Sequence, residues 1–249
     1  MKDYRDFLKA DYWEKIDWKA TAQGKGLPAP PIEKEYPEDA KLIELIPRDK
    51  LKIKHINLFD AIKQRKSHRK YKDDSLSLEE LSFLLWATQG INKKSEKWPV
   101  ATRTVPSGGC LHPFETYLVV NRVIGLESGI YRYLAFEHKL YLLKKGEFGE
   151  KAGEASLKQK FVGRGAVVFA WSVRPYRTEW RYEKLSPKII AQDSGHLCQN
   201  LYLVCEAINA GTCAIGAYSQ KLWDELIGLD GEDEFIVYVA PVGKIDKET

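Results

Sequence analysis

Apolar and polar residues recur along this chain with a period that switches between helical and extended, and the switches mark out its elements. Leu58, Ala61 and Ile62 share one side of a helix predicted over Leu58 to Gln64, which runs into the cationic stretch Arg65-Lys66-Ser67-His68-Arg69. Ser77 opens a second helix, because its hydroxyl can cap while Glu80, three residues on, reaches back to complete a capping box. Leu81, Leu84, Leu85 and Thr88 then form its apolar stripe, which ends near Gly90. A polar loop, Lys93 to Trp98, and a glycine-bearing segment, Arg103 to Pro113, lead into a buried strand from Tyr117 to Val120.

Ile130 to Tyr133 and Leu140 to Leu143 read as the arms of a hairpin, and Ala166 to Val173 as a strand buried on both faces. The longest helical pattern runs from Ile189 to Ala210, through Ile190, Leu197, Leu201, Val204, Cys205 and Ile208, with Gly211 as its stop. A short helix, Leu222 to Ile227, precedes a last strand, Phe235 to Ala240, closed by Pro241-Val242-Gly243. The first fifty residues follow no such period. They carry Trp13 and Trp18 among charges and then a Gly/Pro-rich break, Gly24 to Pro31, and so read as an extension (1–50) wrapping the main domain (51–249) or a partner subunit.

With 44% hydrophobic residues in 249, the chain can bury a substantial core. Its net charge of +4 is dispersed, which argues against a nucleic-acid binder and suits an anionic cofactor. The absence of a signal-like or membrane-spanning apolar run predicts a soluble cytoplasmic protein with no membrane partner. Cys110, Cys198, Cys205 and Cys213 form no CxxC pair and have no histidines at ligand spacing, so no metal site is expected and the thiols read as reduced and mostly buried. Cys110 has no recognisable base and reads as structural, as does His196 on the long helix.

Several short motifs are ambiguous one by one. The stretch from Arg65 onward is either a phosphate grip or a solvated charge run at a helix end. Pro106-Ser107-Gly108-Gly109 is either an ordinary turn or a loop whose glycines let backbone approach a ligand through positive φ. Their order along the chain is more informative. Together with Leu84 to Ile91, Gly129-Ile130-Tyr131-Arg132-Tyr133, Gly195 to Leu201, Ala214-Ile215-Gly216-Ala217 and Pro241-Val242-Gly243-Lys244, they resemble the nitroreductase superfamily, and within it the SagB-type dehydrogenases, over roughly Leu58 to Lys244.

That resemblance implies an α+β fold, with a central mixed, mainly antiparallel sheet flanked by helices, in an intertwined homodimer holding FMN at its interfaces. Arg65 and Ser67, with Lys66, would grip the phosphate, and Arg69 would face the flavin N1/O2 edge and stabilise the reduced anion. Pro106, Ser107, Gly108 and Gly109 would reach the partner's flavin, Ile215, Gly216 and Ala217 would offer main-chain N–H to N5, and Lys244 would be a second phosphate ligand. Arg181 and Tyr182 stand where azoline-oxidising relatives carry a catalytic Lys-Tyr pair; guanidinium is a poor general base, so they are catalytic groups or interface aromatics beside Trp180. Three activities are compatible: NADH or NADPH reduction of a nitro- or quinone-like small molecule, dehydrogenation of peptide azolines, or flavin binding without turnover.

Overall fold

The computed structural model describes residues 5–95 and 100–246. Seven strands form one sheet in the spatial order β1-β6-β5-β4-β7-β9-β8, every neighbouring pair antiparallel. These are β1 (Leu42–Glu44), β4 (Phe114–Val120), β5 (Gly129–Leu134), β6 (Lys139–Lys145), β7 (Val167–Val173), β8 (Ala210–Thr212) and β9 (Phe235–Lys244). Between β1 and β4 in sequence lies a separate hairpin of β2 (Ile91–Lys94) and β3 (Ala101–Arg103). An isolated parallel bridge, Ser67 to Thr212, lays the cationic stretch against edge strand β8 and makes the sheet locally mixed.

All seven residues of β4 and of β7 are buried, because helices cover both faces of the sheet. Strand alternation divides them: Leu118, Val120, Phe169 and Trp171 point into one core layer, Tyr117, Val119, Val168 and Ala170 into the other. The first layer is closed by α2 (Leu78–Gln89) and α6 (Ser186–Cys205), through Leu81, Leu84, Leu197 and Leu201. The second is closed by α3 (Gly149–Ala155), α4 (Lys160–Arg164) and α7 (Gln220–Ile227), through Ala152, Val162 and Trp223. Helix α1 (Leu58–Gln64) buries only Ala61, and α5 (Tyr176–Tyr182) stands just ahead of α6.

The capping box forms as the sequence predicts, with Ser77 Oγ accepting from Glu80 N–H at 3.1 Å and Glu80 Oε2 accepting from Ser77 N–H at 2.9 Å. Four expectations need correction. The long helix ends at Cys205, and a 3-10 turn then closes on Asn209, whose left-handed backbone (φ 51°, ψ 42°) halts it ahead of Gly211. Asn reaches this region more readily than other non-glycine residues. Gly211 instead lies within β8, where a Cβ would stand 2.6 Å from the His68 side chain. The last strand does not close at Pro241 but runs on to Lys244, while the expected loop from Lys93 to Trp98 begins as β2, with 96–99 outside the described residues.

Residues 29–46 form a strap over the domain. Lys34 N–H donates to Glu115 at 2.8 Å, Arg132 donates to the carbonyls of Lys34 and Glu35, and β1 adds to β6. Among the described residues no helix is long and apolar enough to cross a membrane.

Candidate active site

Tyr202, near the C-terminal end of α6, organises the cationic stretch. Its hydroxyl accepts from the Ala214 N–H at 2.8 Å and shares a hydrogen bond with Ser67 Oγ at 2.9 Å, while the Arg65 guanidinium lies 5.1 Å from the centre of its ring. His68 N–H donates to Thr212 O at 2.9 Å, and Tyr71 Oη donates to His68 O at 2.7 Å. The stretch is thus pinned through its backbone while Lys66, Ser67 and Arg69 remain exposed and Arg65 half-buried. Arg69 rests over the Phe161 ring at 6.0 Å. Tyr202 also brings Ala214-Ile215-Gly216-Ala217 beside Ser67, which joins two motifs some 150 residues apart.

Within that second motif the roles divide. Ile215 N–H is taken by Val239 O at 2.8 Å, so Ile215 does not offer the main-chain donor expected of it. Gly216 is exposed, with no atom within 4 Å of where a Cβ would stand, and Ala217 O accepts from Gln159 at 3.0 Å. Lys244 is also diverted: its ammonium is paired with Glu80 and donates to Ile208 O at 2.7 Å, so it ties β9 to the start of α2. This corrects its expected role as a phosphate ligand.

The Pro106-Ser107-Gly108-Gly109 turn is fastened elsewhere on α6. Ser107 Oγ donates to Asp193 at 2.6 Å, Gly108 N–H donates to the same carboxylate at 3.0 Å, and His112 N–H donates back to Ser107 Oγ at 3.0 Å. Burial pushes the Asp193 carboxyl up in spite of these bonds. Of the two glycines only Gly109 takes a positive φ, 63°, and its missing side chain makes room for the Tyr182 hydroxyl; a Cβ on Gly108 would meet Ile189 at 2.5 Å. Cys110 and His112 follow in the same left-handed region.

Cys110 is only partly buried, and His112 Nε2 stands 3.7 Å from its Sγ, a neighbour that sequence reading overlooked. The pair is not primed for nucleophilic attack. Burial pushes the thiol up, and burial with Arg103 pushes His112 down to about 3, so both are neutral near pH 7. His196, expected to be structural, is exposed, 3.9 Å from Asp193.

Tyr182 is buried against Leu111, Leu185 and Ile189, with the Trp13 and Trp18 rings packed on it at 5.8 and 6.3 Å. The Arg181 guanidinium lies 5.3 Å from the same ring. The structure therefore gives Tyr182 a packing role that sequence reading left open. Tyr202 and Asp193, which hold the two halves of the site, were missed; the available signal was a polar group flanking the core-facing stripe of a long helix, which needs a named partner when buried.

With this geometry in place, likeness to known proteins becomes interpretable. The nitroreductase family profile matches residues 62–244. A protein of Methanocaldococcus jannaschii described as a nitroreductase is 30% identical over 192 residues, covering 77% of this chain and 93% of the relative. The trifolitoxin-processing protein TfxB of Rhizobium leguminosarum bv. trifolii is 29% identical over 133 residues, 51% of this chain, which spans only 36% of TfxB. The crystal structure of a nitroreductase of Ralstonia eutropha aligns with a TM-score of 0.69 at 25% identity, over 89% of this chain and 100% of that one. The chain belongs to the nitroreductase family.

Proposed function

We propose that this chain is an FMN-dependent oxidoreductase acting as a homodimer, which passes a hydride through flavin N5 from NADH or NADPH to a nitro- or quinone-like acceptor. The observation that carries this reading is the Ser67–Tyr202–Ala214 relay, which sets a cationic stretch beside an open main chain at Gly216.

The residues present fit such a cofactor. With Tyr202 donating to Ser67 Oγ, the Ser67 hydrogen is left for a phosphate oxygen, and the Arg65 fork on the Tyr202 ring suits the same group, with Lys66 adjacent. Arg69 supplies an exposed cation for the flavin edge, and Gly216 offers backbone without a side chain that would block the ring face. When bound, FMN supplies the two-electron chemistry; the protein supplies binding, orientation and charge at its edge.

Helix geometry favours a site built from two chains. Asp193 and Tyr202 are nine residues apart on α6, which at 1.5 Å and 100° per residue puts them roughly 13 Å apart and on opposite faces. The Ser107 turn, fastened to Asp193, is therefore on the side of α6 away from its own chain's cationic stretch, which supports its completing a second copy's site. On α1, Leu58, Phe59 and Ile62 are 66%, 73% and 58% exposed, an apolar helix face that a second copy would cover.

A second reading is dehydrogenation of azoline rings in a peptide, favoured by the likeness to TfxB. Against it stand Arg181 in the position of a lysine base and Tyr182 packed beneath two indoles. The test is spectroscopic. Purified protein should carry or take up flavin, and anaerobic NADH or NADPH should bleach its absorbance. Bleaching by an azoline peptide alone would favour the second reading, and flavin held without reduction by any donor would leave a binding dimer. A protein that takes up no FMN would overturn every flavin reading.

A further inference from the structure

A chamber of about 310 Å³ lies between the N-terminal segment, the Gly109–Leu111 turn and helix α5. That is the lower end of the ~300–1,000 Å³ range of small-molecule pockets. Leu111, Ile32 and the indole of Trp180 make its walls largely apolar, and its polar groups are Gln23, Arg177 and Arg181.

The chamber is built into the fold. Gln23 N–H donates to Trp180 O at 2.8 Å, Trp180 Nε1 donates to Leu27 O at 3.0 Å, and Arg177 Nε donates to Pro31 O at 2.8 Å. The N-terminal segment is thereby stitched along α5 and roofs the cavity. Gln23 and Ile32 lie outside the stretch, 62–244, that matches the family profile.

Its charge identifies the occupant. Arg181 stands over the Tyr182 ring, and no carboxylate among the described residues pairs with it. Arg177, by contrast, is only 3% exposed and has its charge taken by Glu115 at 2.6 Å. The unpaired Arg181 guanidinium attracts an anionic oxygen. The indole wall favours a flat ring, which packs on it without distorting the walls.

We propose that this chamber binds a small planar aromatic molecule bearing a carboxylate or comparable oxyanion, with its ring against Trp180 and Leu111 and its oxygens toward Arg181. Gly109 is part of the wall and belongs to the turn assigned above to the flavin. On that reading the ligand is the electron acceptor, and the acceptor class narrows to negatively charged rings.

Calorimetric titration of the full chain, with and without FMN, tests this with 4-nitrobenzoate as probe and neutral 4-nitrobenzyl alcohol and non-planar cyclohexanecarboxylate as controls. The probe should bind one per chain and more tightly than either control. Arg181→Gln should weaken 4-nitrobenzoate about tenfold and the neutral alcohol less than about twofold, the loss of one charge-assisted contact. In turnover, KM for the anion should rise in parallel. Trp180→Ala should weaken both aromatic ligands, and Trp180→Phe, which keeps a flat ring, should restore most of the affinity; the Phe variant separates lost stacking from a loosened N-terminal segment. No binding to the unaltered chain, or equal affinity in Arg181→Gln, overturns the proposal. FMN uptake is read separately by absorbance. Probe binding in a chain that takes up no FMN sustains the chamber and defeats the flavin reading, whereas FMN uptake without probe binding does the reverse.

Discussion

Two groups of cations in this molecule meet opposite fates. Under the strap, Arg103, Arg132 and Arg177 are buried and tied to Gln89, Glu115 and main-chain carbonyls, with Glu33, Lys34 and Glu234 woven among them. Around Ser67, Arg65 and Arg69 lean on aromatic rings and keep their heads at the surface. A buried cation is tolerated only with its partners in place, so the first group belongs to the architecture. A cation held by its flat face on a ring keeps its N–H edges for something else, and the second group is available to a ligand.

The sharpest way to break this contrast is to remove one partner from the buried group. Arg177→Met should lower unfolding free energy by about 3–5 kcal/mol in urea titration, because Glu115 is left buried without its counter-charge and keeps only the Lys34 N–H. The complementary change, Arg65→Ala with Ser67→Ala, should weaken FMN binding about a hundredfold through loss of a charge-assisted and a neutral hydrogen bond. The melting temperature of the flavin-free protein should stay nearly constant; a large drop would assign the stretch to the architecture instead.

Acidity separates a half-buried and a buried group on the strap side. Burial and neighbouring carboxylates push Glu33 up to about 7, so the folded protein holds a proton the unfolded chain has released above about 4.5, and stability falls as pH rises through that window. His112 is pushed down to about 3, so the unfolded chain binds the proton first below about 6.5, and stability falls as pH drops. Between pH 4.5 and 6.5 the slopes oppose, each about 1.4 kcal/mol per pH unit at most. Denaturant titrations should show Glu33→Gln leaving stability that rises with pH there and His112→Asn leaving stability that falls. Equal slopes in both variants would refute the assignment. The smallest effect belongs to the capping box, where Ser77→Ala should cost about 1 kcal/mol by thermal unfolding.

What could be read in advance follows how far apart the interacting residues lie. The helix over Leu58–Gln64, the box at Ser77 and the fully buried strand Val167–Val173 are written in residues a few positions apart, and all three form. The cationic stretch and the Gly216 segment were legible as motifs, but the Tyr202 that joins them was not, since Ser67 and Tyr202 are 135 residues apart. Lys244 was misread for the same reason, its partner Glu80 being 164 positions away. The strap cluster left one usable trace: Glu115 and Arg132 interrupt otherwise apolar strands, and a charge in a strand covered on both faces needs a distant counterpart.

The docking of the cationic stretch on β8 also bears on solubility. Strand β8 is the last in the sheet, and an open edge of this kind invites pairing with the edge of another molecule, the first step of amyloid-like polymerisation. The Ser67–Thr212 bridge and the His68 ring lying over Gly211 close that edge with a short, positively charged segment. Gly211→Ala would press against His68 and lift the segment, so its signature would be concentration-dependent aggregation more than a lowered midpoint of unfolding. The residues proposed to hold a phosphate thus also serve as a gatekeeper against self-association.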